Sequence, residues 1–416
     1  MNAPATPPYA HRWRGRERYL LRSRVIDPVT AATLGSLARI LRRPAAPLDL
    51  SDPRTVGRVL VVHRMRIGDA VVITPLLRAL RARFQDAELV LAVSPLVEAL
   101  FRRDRRIDRL LVVALRPGEY PRDLAARVGM EAGRADLAFV LDFTALSARI
   151  ATRSGAVARI GYDDHGRGWR LTHRLPWPPE WNRATADYPA GAAPRHQAER
   201  WLALGAVAGA ATGDARPALE ADRSRRWADL LPGSGIPEDA RVLLVHPGSD
   251  SAYRWRPERW AEAAERVAHG HALRVVLSGG PADGPIVDVV RRAMKRPAPD
   301  IVGRGLATAV DVAARAVLVL AVDTSLSHIA SAVGTPVVTL FGPGDPAIWR
   351  PWGEGSRVVR DPGGRCGGCK LPRCPLAEHL CMDGIGVDDV IRAAESILSP
   401  IGPFPTGESG RSEGRP

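Results

Sequence analysis

A carboxylate just beyond a tight turn can take a proton from a hydroxyl group. The sequence offers one in Gly68-Asp69, where glycine lets the chain turn sharply and a ligand come close. At the start of a helix the same carboxylate could equally serve as an N-cap. Further along, His246-Pro247-Gly248-Ser249-Asp250 is followed by Tyr253-Arg254-Trp255-Arg256-Pro257-Glu258-Arg259-Trp260. Small residues expose backbone N–H groups and guanidinium forks match phosphate oxygens, so this stretch suits a diphosphate. Solvated surface charge is the plainer reading of Arg254 and Arg256. A third motif, Asp323-Thr324-Ser325-Leu326-Ser327-His328, sets hydroxyls and unpaired N–H groups where a helix begins. The positive end of the helix dipole makes such a terminus an anion site. Capping by Asp323 or Thr324, with a buried His328, would leave the same pattern.

Such motifs need a scaffold, and the hydrophobic pattern supplies one. Apolar runs of strand length at 59–62, 89–93, 110–113 and 137–141 alternate with helical stretches such as 69–84 and 121–133. The rhythm resumes at 242–245, 273–277, 317–322 and 337–341, with helices near 257–269, 283–294, 307–315 and 324–333. Strands apolar on both faces and separated by helices predict parallel sheets covered by helices. The expected fold class is α/β: two Rossmann-like, doubly wound domains facing a central cleft. The boundaries fall at 1–56 for a basic N-terminal extension, 57–220 for the first domain and 221–398 for the second, with a linker near 210–235. Residues 399–416, rich in Pro, Gly and Ser, read as a disordered tail. Asp69, Ser249 and Asp323 all follow predicted strands, where open α/β sheets bind their ligands. The turn at 63–75 is not G-x-G-x-x-G, so a dinucleotide site fails on spacing. Residues 162–195, with Trp169, Trp177, Trp181, His165 and His173, break the rhythm and read as a long loop near an acceptor or one held down by its own tryptophans.

With 416 residues, 45% hydrophobic and 25% charged, the chain can fill a core, which excludes collagen-like, mucin-like and coiled-coil classes. No apolar run of about 18 residues is present, and the N-terminus lacks the apolar stretch of a secretory signal, so a cytoplasmic chain is expected. The formal charge of +14, carried almost wholly by Arg, favours anionic partners: nucleotides, nucleic acid or an acidic membrane surface. In the extension, Asp27-Pro28 can open a helix with Val29, Leu34, Leu37 and Leu41 on one side and Arg42-Arg43 at its end. Such a segment would lie on an anionic membrane or pack on the body. A nucleic-acid binder would need arginines interleaved with aromatics, a pattern the rest of the sequence does not display. Cys366, Cys369, Cys374 and Cys381, with His379 beside them, could bind structural zinc, pair as disulfides or remain free thiols.

Taken together, the Gly68-Asp69 turn with Thr74-Pro75, the His246-Pro247-Gly248 turn with Arg254-Trp255 and Pro257-Glu258-Arg259-Trp260, the 323–328 box, and the run from Gly334-Thr335-Pro336 through Phe341-Gly342-Pro343 to Asp345-Pro346 resemble glycosyltransferase family 9, the lipopolysaccharide heptosyltransferases. The resemblance spans about 58–397. It implies a GT-B fold and inverting transfer of a heptose, or a related sugar, from an ADP-sugar to the inner core on lipid A or a similar cell-envelope glycan. No cofactor or metal ion would be required for catalysis. By position Asp69 would be the catalytic base, with Gly68 in its turn. Asp323, Thr324, Ser325, Leu326 and His328 would hold the diphosphate, Ser249 and Arg254 would contact the donor, and Asp283 would reach its ribose. Partners would be the nucleotide-sugar donor and a lipid-linked saccharide acceptor, at the inner face of the cytoplasmic membrane. Two departures stand out: Tyr253 where many relatives carry Lys, which passes diphosphate neutralisation to Arg254 or Arg256, and Ser325 where Gly is common. The competing class is a non-catalytic nucleotide-sugar-binding or nucleic-acid-binding protein.

Overall fold

The computed structural model describes residues 48–399, except 164–167, 177–194, 365, 370 and 372. The helix expected within the basic extension, Trp177 and Trp181, and the tail from 400 onward lie outside the described residues.

Among the described residues, eleven strands form two wholly parallel sheets. The first contains β1 (Arg58–His63), β2 (Glu88–Val93), β3 (Arg109–Val112), β4 (Leu137–Val140), β5 (Ala158–Asp163) and β6 (His173–Pro176), in the order β3-β2-β1-β4-β5-β6. The second contains β7 (Val242–His246), β8 (Arg274–Leu277), β9 (Leu318–Val322), β10 (Val337–Leu340) and β11 (Ser356–Val359), in the order β11-β10-β9-β7-β8. The first is the doubly wound order of dinucleotide-binding sheets, and the second, read from β8, is the flavodoxin-like order. In each, strand order reverses beside the first strand, and the loops leaving that reversal open a crevice. Asp69 follows β1 in the first turn of the next helix, and Ser249 and Asp323 lie on the loops after β7 and β9.

The central strands β1, β4, β7, β9 and β10 are almost entirely buried, as helices on both faces require. One apolar cluster joins the two sheets: Ile73, Leu76, Leu77 and Trp201 from the first half share it with Trp227, Val310, Leu326 and Ile329. The segment expected as a linker is therefore packed, with Trp227, Leu230 and Leu231 buried. At its start, the Leu219 N–H donates to the Ala332 carbonyl at 3.0 Å. Fully buried Asp311 pairs with Arg103 of the first half at 2.7 Å and with Arg225 at 3.0 Å, a second tie between the halves.

Two sequence expectations change. The helix expected over 69–84 is two helices, Ile67–Val72 and Thr74–Arg83, broken at Ile73, because Pro75 has no N–H to continue the first and suits the opening turn of the second. The loop expected over 162–195 contains an edge strand, β6, paired with β5 through Ile160–His173 and Tyr162–Leu175. Its half-exposed alternation and terminal Pro176 fit an edge position and hide it from an apolar-run reading.

Candidate functional site

The loop leaving β1 meets the helix entered from β9. A side-chain carbon added to Gly68 would lie 3.3 Å from His328 Cδ2 and 3.9 Å from the Ser325 Cα. A methyl group here would press on the imidazole by a few tenths of an ångström, so glycine favours this close approach of the two helices. Asp69, 8% exposed, follows in the first turn of Ile67–Val72. Arg66 is the N-cap residue there and no side chain caps the helix, so N-capping does not explain Asp69.

Opposite, Thr324 is the N-cap residue of the Ser325–Ala332 helix, and its side chain makes no capping bond. Its Oγ1 is buried without a hydrogen-bond partner among the described residues. The Ser327 hydroxyl donates to the Thr324 carbonyl at 2.7 Å. The leading N–H groups of this helix therefore donate no bond to the Thr324 side chain, at the end where the dipole is positive. His328 is nearly fully buried and edge-on to Trp349, ring centroids 6.2 Å apart. Burial, with a lesser effect of nearby His196, holds its pKa down at about 3, so it stays neutral. Asp323 behaves oppositely: burial, reinforced by Asp345, raises its carboxyl to about 7. A side chain on Gly344 would strike the Asp323 carboxylate, so that glycine makes room for it.

The turn after β7 completes the second half's share. Asp283 leans over Gly248, where a side-chain carbon would lie 2.3 Å from its carboxyl carbon, and accepts from the Gly280 N–H at 2.8 Å. Arg254 is exposed, and its Nε donates to the Ser249 carbonyl at 2.9 Å. Among the described residues it makes no ion pair, which leaves the outer nitrogens of its fork available. Arg256, the alternative for neutralising a diphosphate, is instead clamped to Asp383 at 2.7 and 3.1 Å. The rest of that motif is structural. Trp255 and Trp260 are buried edge to face at 5.1 Å, the Trp255 Nε1 donates to the Ile385 carbonyl, and Arg259 donates to the Asp383 and Ile385 carbonyls. Pro257 opens the helix behind them.

The structure thus brings Gly68, the neighbour of Asp69, against Ser325 and His328, and groups Ser249 and Arg254 on a turn that Asp283 overlies. Reasoning from the sequence missed His196. This residue caps the Gln197–Ala206 helix through Nδ1, reaches the Arg350 carbonyl at 2.8 Å through Nε2, and packs on Trp352 at 4.6 Å. A lone histidine before a helix gave no signal of a bond reaching 154 positions ahead.

The cysteine cluster yields a correction. All four cysteines are free, and no group of three or more His, Cys, Asp or Glu among the described residues is arranged to hold a metal ion. Structural zinc is therefore not supported. Cys381 sits in the core under Gly342, and burial, with the neighbouring thiols, pushes its pKa to about 12, which keeps it a protonated apolar filler.

The family model for glycosyltransferase family 9 (heptosyltransferase) matches residues 125–378. Lipopolysaccharide heptosyltransferase 3 of Escherichia coli K12 is 31% identical over 194 residues, 44% of this chain and 52% of that protein, so the match spans about half of that relative's length. Lipooligosaccharide heptosyltransferase 2 of Haemophilus influenzae is 23% identical over 319 residues, 73% of this chain and 88% of that protein. Among solved structures, Escherichia coli ADP-heptose lipopolysaccharide heptosyltransferase II superposes with a TM-score of 0.66 at 22% identity, covering 82% of this chain and 98% of the other. The two facing sheets are those of a GT-B fold.

Proposed function

The chain belongs to glycosyltransferase family 9, and on that footing we propose that it transfers a heptose from an ADP-sugar to a lipopolysaccharide core acceptor, inverting the anomeric carbon without a metal ion. The observation that carries this reading is the contact of Gly68 with Ser325 and His328, which sets the Asp69 turn against the helix terminus of the opposite half.

In this reading the acceptor hydroxyl gives its proton to Asp69 as its oxygen forms a bond to the anomeric carbon. The bond from that carbon to the diphosphate breaks on the opposite face, and ADP leaves with the electron pair. Protein groups meet the charge that develops: the leading N–H groups of Ser325–Ala332, the Thr324 hydroxyl and the Arg254 fork. Neutral His328 can hydrogen-bond without adding charge, and Ser249 and Asp283 bound the donor's nucleoside side. The work would take place in the cytoplasm, where nucleotide sugars are available.

The test is transfer from ADP-heptose to a lipopolysaccharide core acceptor by wild type and Asp69→Asn. The variant should bind the donor normally and lose transfer by about 10²–10⁴-fold, the usual contribution of a general base. Wild-type turnover by Asp69→Asn would remove the base. A thermal-shift screen in which UDP- or GDP-sugars stabilise the chain and ADP-sugars do not would overturn the donor.

A further inference from the structure

The three central and edge strands of one side of the first sheet end level with one another: His63 of β1 is in register with Val93 of β2, and Val93 with Val112 of β3. The loops leaving these ends form one rim, and the Asp69 turn is part of it. On the other two loops the rim exposes large apolar side chains: Leu96 at 57%, Leu115 at 56% and Tyr120 at 65%. Exposed apolar residues scattered singly are ordinary, but three on adjacent loops beside a reaction centre make a surface.

The loop carrying Leu115 and Tyr120 is braced. Arg127 holds Glu119 through both carboxylate oxygens at 2.8 and 3.0 Å and donates to the Ala114 carbonyl at 2.9 Å, while Glu119 also accepts from the Arg116 N–H at 2.9 Å. With the backbone fixed in this way, the apolar side chains stay out in solvent. Arginines stand among them. Arg66 is exposed and makes no ion pair among the described residues. Arg116 and Arg122 are 65% and 77% exposed, with only loose contacts to Glu131 and Asp123 at 3.4 and 3.6 Å, and Arg122 lies over the Tyr120 ring.

We propose that this rim rests on an anionic bilayer, with Leu96, Leu115 and Tyr120 dipping into the headgroup region and Arg66, Arg116 and Arg122 pairing with lipid phosphates. Apolar tips ringed by arginine suit that boundary, because the tips gain from leaving water while the guanidinium groups stay at phosphate level. The placement deepens the proposed transferase reading and rests on it for its purpose: a lipid-anchored acceptor would meet Asp69 at the membrane surface.

The test uses the full chain and sedimentation with vesicles of phosphatidylethanolamine and phosphatidylglycerol, or of phosphatidylcholine alone. Wild type should favour the anionic vesicles. The variant Leu96→Ser/Leu115→Ser/Tyr120→Ser should bind them at least tenfold more weakly, yet transfer heptose at the wild-type rate to a delipidated, water-soluble acceptor. The variant Arg66→Ser/Arg116→Ser/Arg122→Ser should lose binding most at low salt. Undiminished vesicle binding by the apolar variant would overturn the proposal. So would a dimer in light scattering that this variant dissociates, which would make the rim a protein interface. Vesicle binding through the rim by a chain that transfers nothing from ADP-heptose would sink the transferase reading and leave the surface standing.

Discussion

Gly68 and His328 touch across the two halves, with 3.3 Å between the imidazole Cδ2 and the position a side-chain carbon on Gly68 would occupy. This contact fixes how far the Asp69 turn stands from the Ser325–Ala332 helix. Gly68→Ala needs a shift of a few tenths of an ångström, whereas Gly68→Val must push the helices apart. Gly68→Val should therefore lower kcat/KM by about 10²-fold, the scale of a misplacement near 1 Å, and also lower the melting temperature, as overpacking of a tight seam does. Steady-state kinetics of the two variants, with thermal melts alongside, check this. Equal activity in both would mean the contact does not set the reacting distance.

Arg254 and Arg256 are neighbours in sequence with different employment. Arg254→Ala should weaken ADP binding by about 2 kcal/mol, the worth of a hydrogen bond to a charged group. Arg256→Ala, which removes an exposed pair with Asp383, should change both affinity and stability little. Calorimetric titration with ADP separates them, and identical affinities would remove Arg254 from the donor site.

Asp323 should give donor binding a pH dependence. Its carboxyl titrates at about 7, so it is protonated below that pH and becomes an anion beside the helix terminus above it. Affinity for an ADP-sugar, whose diphosphate does not titrate in this range, should fall as pH rises from 6 to 8. Asp323→Asn should flatten that profile, and an unchanged slope in the variant would place the titration elsewhere.

Four buried histidines should make the fold acid-sensitive. Burial lowers the pKa values of His63 and His328 to about 3 and those of His196 and His246 to about 4. Unfolding lets each take up a proton below its ordinary value near 6.5. The stabilisation is thus complete above that pH and is lost as pH falls towards 3 or 4. At pH 5 each histidine costs about 2 kcal/mol relative to pH 7. Neither ring nitrogen of His63 has a hydrogen-bond partner among the described residues. His63→Leu should therefore reduce the loss of melting temperature between pH 7 and 5, and parallel curves for the two proteins would refute this.

Much of the architecture was legible because the buried strands carry unbroken runs of Val, Leu and Ile; β1, β7 and β9 fall within a residue of the apolar runs at 59–62, 242–245 and 317–322. β5, β6 and β11 were missed, since Ala158–Asp163, His173–Pro176 and Ser356–Val359 mix polar with apolar residues, as strands near a sheet edge can. At the site, spacing placed Asp69, Ser249 and Asp323 on strand-end loops, but it could not show which arginine was already engaged. That choice depends on Asp383, 127 residues beyond Arg256. Among the readings left open for the cysteines, structural zinc finds no support for a related reason: four close cysteines in sequence say nothing of one being drawn into the core.

The apolar cluster that contains Leu77 and Ile329 belongs to neither half alone. Separating the halves wholly would wet that shared interior, so a wide, clamshell-like gape is costly. Substrate entry is then better served by sliding and small rotations about the packed seam, and each half expressed alone would present a sticky face. Exchanging halves between relatives would work only where the seam residues travel together.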